Sequence, residues 1–110
     1  MAQSPHQGPF VYTATTELTA SNTAQNLSES TITRTPSGGG TEKARYVYIQ
    51  VQDNDLAWAY ETTLLSAQNQ GYRVLPLGDI ELYGEDAISN FAYRNWTDSS
   101  NATLVVTVGF

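Results

Sequence analysis

The stretch RYVYIQVQDNDLAWAYE, residues 45–61, decides the fold. In its first half Val47, Ile49 and Val51 alternate with Tyr46, Tyr48, Gln50 and Gln52. A period of two puts the aliphatic set on one face of a strand and the tyrosines and glutamines on the other. Asp53-Asn54-Asp55 is turn chemistry, because short polar side chains bond to nearby backbone. Beyond it Leu56, Trp58 and Tyr60 share one face and Ala57 and Ala59 the other. Two strands this close across a tight turn predict a hairpin.

Moving toward the C-terminus, TTLLSAQNQG (62–71) reads as one short helical turn or a wide loop closed by Gly71. Tyr72–Leu77 and Asp79–Tyr83 are strand candidates separated by Gly78. Gly84-Glu85-Asp86 is a turn, and residues 87–96 are a strand or a helical turn leading into one. After the loop TDSSN, residues 102–108 form a strand with Leu104, Val106 and Val108 on one face and Val105 partly covered on the other.

Moving toward the N-terminus, PSGGG (36–40) is the tip of a hairpin or loop. SNTAQNLSESTITRT (21–35) has only sparse apolar points, at Ala24, Leu27 and Ile32. It reads as a turn with one or two short strands, and a helix over 22–29 capped by Ser21 is the alternative. Residues 10–19 are β-branched and aromatic, so they read as a strand. Residues 1–9 hold Pro5, Gly8 and Pro9 and read as a flexible N-terminal arm, either solvated or ordered against a neighbouring subunit.

The expected architecture is all-β: one β-sandwich domain over residues 10–110, jelly-roll-like, with about seven to nine short antiparallel strands. Composition agrees. The chain has 110 residues, one domain's length, and only 15% of them are charged, against about a quarter in an average domain. Its net charge of −6 disfavours nucleic acid and anionic membrane surfaces as partners. The absence of cysteine excludes a disulfide framework, a Cys-ligated zinc and a thiol nucleophile. The first ten residues lack the basic start and apolar run of a secretion signal, so synthesis in a cytoplasm is expected.

Catalytic constellations are hard to assemble. The single histidine, His6, lies in the arm, where a triad base would not be held against a nucleophile. Glu81, Glu85 and Asp86, and likewise Asp53 and Asp55, sit at expected turns rather than in a recognisable glycosidase pair. Asp53-Asn54-Asp55 lacks the remaining ligands of a calcium loop. PSGGGTEK lacks phosphate-loop spacing, and the three N-x-S/T sites carry no meaning without a secretion signal. No cofactor or metal is expected, and no enzymatic activity.

The aromatic residues are the better candidates. Phe10, Tyr12, Tyr46, Tyr48, Trp58 and Trp96 are the expected interface or binding residues, with Tyr93 and Phe110 adding to the supply. Aromatics on a sheet face serve a subunit interface or stack on sugar rings, or else they fill the ends of the sandwich.

Five elements together carry a resemblance: Leu18-Thr19-Ala20, the Val47–Tyr60 segment, Leu77-Gly78-Asp79, Asp86–Phe91 and Ala102–Thr107. Their order resembles the small β-rich structural proteins of tailed bacteriophages over roughly residues 10–110. The chain departs from that pattern after the central aromatic, where ETTLLSAQNQG replaces a Gly-rich turn. The resemblance implies a capsid decoration (cement) protein on the outer surface of the virion, made in the host cytoplasm. Its implied partner is the major capsid protein in the expanded lattice, and a homo-oligomer, with a trimer favoured, would suit a threefold site. The alternative is a carbohydrate- or receptor-binding module of a tail or fibre.

Overall fold

The computed structural model describes residues 13–110. The arm over residues 1–9, Phe10, Tyr12 and the start of the first strand lie outside the described residues. The strands are β1 (Thr13–Thr19), β2 (Gln25–Asn26), β3 (Thr33–Arg34), β4 (Glu42–Lys43), β5 (Tyr46–Asp53), β6 (Leu56–Ala59), β7 (Tyr72–Val74), β8 (Asp79–Tyr83), β9 (Ala92–Asn95) and β10 (Thr103–Gly109). Two short helices, α1 (Glu29–Ile32) and α2 (Glu85–Asn90), and a 3-10 turn at Thr62–Leu65 interrupt them.

One sheet has the order β1-β10-β5-β8 and the other β2-β9-β6-β7, with every neighbouring pair antiparallel. Leaving aside the β3–β4 hairpin, eight strands remain. The first pairs with the last (β1–β10), the second with the second-last (β2–β9), the third with β8 and the fourth with β7. This is one long hairpin wrapped on itself, the jelly-roll form of the sandwich. The hairpin β3–β4 is an insertion between β2 and β5, and Pro36 to Gly40 form its tip as the glycines indicated.

Val47, Ile49 and Val51 are fully buried, as the alternation required. They pack with Leu104, Val106 and Val108 of β10 and Ile80 and Leu82 of β8, while Leu56, Phe91 and Tyr93 close the core from the opposite sheet. Burying each aliphatic side chain contributes about 1.5–3 kcal/mol.

The expected β5–β6 hairpin is corrected: these strands lie in different sheets. β10 and β8 occupy both edges of β5, and β9 and β7 occupy both edges of β6, so neither has an edge left for the other. Asp53-Asn54-Asp55 is a turn that crosses the sandwich. Asn54 has φ 53° and donates from Nδ2 to the Asn101 carbonyl at 2.9 Å, while Asp53 Oδ1 accepts the Thr103 N–H at 2.9 Å. Residues 25–26 are β2 and residues 29–32 are α1, so the helical alternative over 22–29 is not formed. The expected Gly84-Glu85-Asp86 turn is corrected, because Glu85 and Asp86 already belong to α2, which caps on Gly84 and leads into β9. The strand at Tyr72 stops at Val74, because Pro76 starts a turn.

The alanine face of β6 has a structural reason. Ala57, Ala59 and Ala92 make a shallow floor on the outside of the second sheet, and Leu65 of the 60–71 loop packs onto it. The loop is a strap. Its Asn69 N–H donates to the Trp96 carbonyl at 2.9 Å, and Gln68 Oε1 accepts the Asp98 N–H at 3.0 Å. Beneath it Arg94 is buried, donating to the Asn95 and Leu65 carbonyls and pairing with Asp98.

Candidate functional site

Four connections gather at one end of the sandwich: residues 20–24, 54–55, 75–78 and 96–102. Asn95, which is wholly buried, joins the first of these to the last. Its Nδ2 donates to Asn22 Oδ1 (2.9 Å) and Asn101 Oδ1 (2.6 Å), its Oδ1 accepts the Ala102 N–H (3.0 Å), and its own N–H reaches the Ser21 carbonyl (2.9 Å). The loops enclose an open depression of about 300 Å³ lined by Asn54, Asp55, Pro76, Thr97 and Ser100. Arg73 flanks it, donating from Nε to Asp55 at 2.7 Å while its guanidinium lies 5.2 Å from the Trp96 ring centre.

Leu75-Pro76-Leu77-Gly78 is the prominent part of this end. The Gly78 N–H donates to the Leu75 carbonyl at 2.9 Å, Pro76 takes the second position, and Leu77 has φ 71°. That is a type II turn with leucine where glycine or asparagine is favoured. A Cβ at residue 78 would lie 2.8 Å from Val74 Cγ1 and 2.9 Å from the Leu75 carbonyl oxygen, so the glycine is needed at 78 instead. The left-handed backbone costs Leu77 about 1–2 kcal/mol. Two bonds to Val51 clamp the turn to the end of β5. Held in this way, Leu77 is 72% exposed and Leu75 56%. Backbone strain and apolar exposure coincide at this tip, which makes it the candidate site.

The candidate aromatics fall on separate surfaces. Tyr46 and Tyr48 project from the outer face of the first sheet, where β8 supplies carboxylates: Tyr46 donates to Glu81 at 2.8 Å and Tyr48 to Asp79 at 3.0 Å. Tyr83 also donates to Glu81, at 3.1 Å, and its ring centre lies 5.1 Å from that of Tyr46. Tyr46 is buried, whereas Tyr48 is partly exposed. Trp58 points into the sandwich near its β7 edge, between Tyr72, Tyr60 and Phe91 at ring distances of 4.9, 5.2 and 5.6 Å. Tyr60 and Tyr72 are exposed, so an aromatic ledge leads from solvent to the core. Trp96 lies on the far side of the second sheet. The structure therefore brings together only Tyr46 and Tyr48 among the described candidates. Leu75, Leu77 and Asn95 were not singled out from the sequence. A Pro at the second position of a four-residue turn was the one available signal for the leucines.

The acidic residues are occupied by the protein's own groups, and Glu81 and Glu85 lie in β8 and α2 rather than in turns. Asp53 and Asn54 hold backbone, Asp55 holds Arg73, Glu81 holds two tyrosines and Glu85 faces Lys43 at 3.9 Å. Among the described residues no group of three or more acidic or histidine side chains stands together as a metal site.

Comparison with family models, with curated proteins and with solved structures finds no match.

The tyrosines set an alkaline limit on the fold. Burial, and then the Glu81 contact, raise the Tyr46 pKa far above the usual value of about 10. Burial and Asp79 raise Tyr48, burial and Glu81 raise Tyr83, and burial raises Tyr93 against a smaller lowering by Gln25. A raised folded pKa means the native state holds the proton more tightly than the unfolded chain. The linked stability is complete below about pH 10 and is lost as pH rises from there through the folded values. Urea unfolding between pH 8 and about pH 11.5 is expected to show a flat region and then a fall, with phenolate absorbance of these four delayed. A stability that stayed level across that range would contradict the burial of Tyr46 and Tyr93.

Proposed function

We propose that this chain is a non-enzymatic docking module, a head-decoration protein that binds the outer surface of an expanded capsid lattice. The observation that carries the reading is the Leu75-Pro76-Leu77 tip, an exposed apolar knob held rigidly in a strained turn. A rigid knob loses little conformational freedom when it enters a pocket, so more of its contact energy is available as affinity. The jelly roll, which recurs in viral capsid and lectin domains, and the resemblance to tailed-phage structural proteins supply the class of partner. Binding only the expanded lattice stabilises that lattice by mass action, and many copies per particle multiply the effect.

The test is co-sedimentation of the purified protein with expanded and unexpanded heads of the phage that encodes it. Saturable binding to expanded heads alone is expected. Leu75→Ser with Leu77→Gly should weaken that binding at least tenfold and leave thermal stability within about 1 kcal/mol, because glycine relieves the left-handed strain. Equal binding by the double variant would remove the knob from the mechanism, and no binding by the parent would remove the function.

A second reading rests on the Tyr60–Trp58–Tyr72 ledge, whose exposed rings could stack on a sugar. Sugar-dependent quenching of Trp58 fluorescence in a protein that ignores heads would favour it.

A further inference from the structure

We infer that β1 is a self-pairing edge, through which two copies of this chain join their first sheets into one continuous antiparallel sheet. Among the described residues the sandwich has four edge strands. β2 and β7 are protected by being two and three residues long. β8 carries Asp79 and Glu81 on its outer face, so two copies meeting there would bring carboxylates together. β1 has none of these protections. It is seven residues long, pairs with β10 without a bulge, contains no Pro or Lys, and has a single charge, Glu17.

The hydrogen-bond phase is fixed by the Ala20 N–H, which donates to the Ala102 carbonyl at 2.8 Å. Counting back by twos, Leu18, Thr16 and Ala14 bond to β10, and Thr13, Thr15, Glu17 and Thr19 aim their N–H and C=O groups at the open edge. An antiparallel partner with the same sequence fits best when centred on Thr16. Thr15 then faces Glu17 of the second copy, Thr13 faces Thr19, and Ala14 faces Leu18. No like charges stand directly opposite, and the apolar pair lies on the core side. Among the described residues that side is open. Ala14 and Thr16 point inward yet are exposed, and with Val108, Ser30 and Thr31 they line a gap of about 220 Å³ beside α1. A second copy would cover it. A contact made by one strand edge is expected to fall below the roughly 1,200 Å² of a standard interface, so the dimer should dissociate in the micromolar range.

This inference stands apart from the capsid reading and is tested separately. Sedimentation velocity on the full chain, from about 1 to 500 µM, should show a shift from monomer to dimer. Thr15→Pro deletes one outward N–H and leaves the β10 bonds in place, as an edge strand tolerates. It should shift dimerisation at least tenfold to higher concentration with the near-UV circular dichroism unchanged. Thr15→Val keeps the N–H but loses the hydroxyl contact to Thr107, and should still dimerise. Should the proline variant misfold, hydrogen exchange on the parent protein decides: the Thr15 and Glu17 amides should slow with concentration. A monomer throughout, a trimer, or a dimer with unprotected Thr15 and Glu17 amides would each overturn the inference.

Discussion

Replacing Asn95 with alanine is expected to cost about 3–5 kcal/mol. The loss has two parts. Two side-chain bonds that join separate loops disappear, each worth about 1 kcal/mol, and the buried Ala102 N–H loses its acceptor, which costs about 1–3 kcal/mol more. In a domain of this size the change corresponds to a fall of about 12–20 °C in melting temperature. Urea unfolding with matched thermal melts measures it. Asn95→Asp is expected to be no better, because it keeps the acceptor but buries a carboxylate between the Asn22 and Asn101 oxygens. A loss below about 1 kcal/mol would mean that water replaces the amide without consequence, and the loop end would then not depend on Asn95.

The second large effect is expected at Gly71, where the strap returns to β7. Its φ is +84°, and a Cβ there would stand 2.5 Å from Leu65 Cδ2 and 2.7 Å from the Trp58 carbonyl oxygen. The leucine can turn aside, but only by leaving the alanine floor that it covers. The carbonyl belongs to the middle of β6 and cannot move without disturbing its pairing with β7. Gly71→Ala should therefore cost about 2–4 kcal/mol, of which the left-handed backbone accounts for about 1–2. Gly39→Ala is the control. It has a similar φ of +87° with nothing near the added atom, so only the backbone part should appear. Faster hydrogen exchange in the strap and around Arg94 would locate the damage. Equal losses at the two glycines would show that the close approach at residue 71 has no energetic weight.

The face pattern of the sandwich was legible because burial imposes it locally. Val47, Ile49 and Val51, and again Leu104, Val106 and Val108, alternate strictly and are buried in full. What did not follow from local pattern was partnership. The Asp53-Asn54-Asp55 turn has the composition of a hairpin turn, yet its strands part into two sheets because other strands claim both edges of each. β10 is paired with β1 and β5 along its length, across separations that no local signal marks. The binding candidates divided in the same way. Aromatic residues could be named from composition, but whether a ring meets solvent depends on what lies opposite, so Tyr46 is buried while Tyr72 is open. Asn95 gave no signal, because an asparagine near a strand end usually meets water. Leu77 ran against the signal: glycine follows it, and the glycine is the residue that would ordinarily take the positive φ.

The place of β10 has a consequence for how the protein is made. Residues 103–109 form an interior strand of the first sheet, between β1 and β5. A ribosome delivers them after every other strand. Until they clear the exit tunnel, the strands flanking them have a missing neighbour, and the core lacks Leu104, Val106 and Val108. Folding of the first sheet therefore waits for this strand to leave the tunnel, and a nascent chain stalled before residue 103 would remain a client of chaperones, not a partly built sandwich.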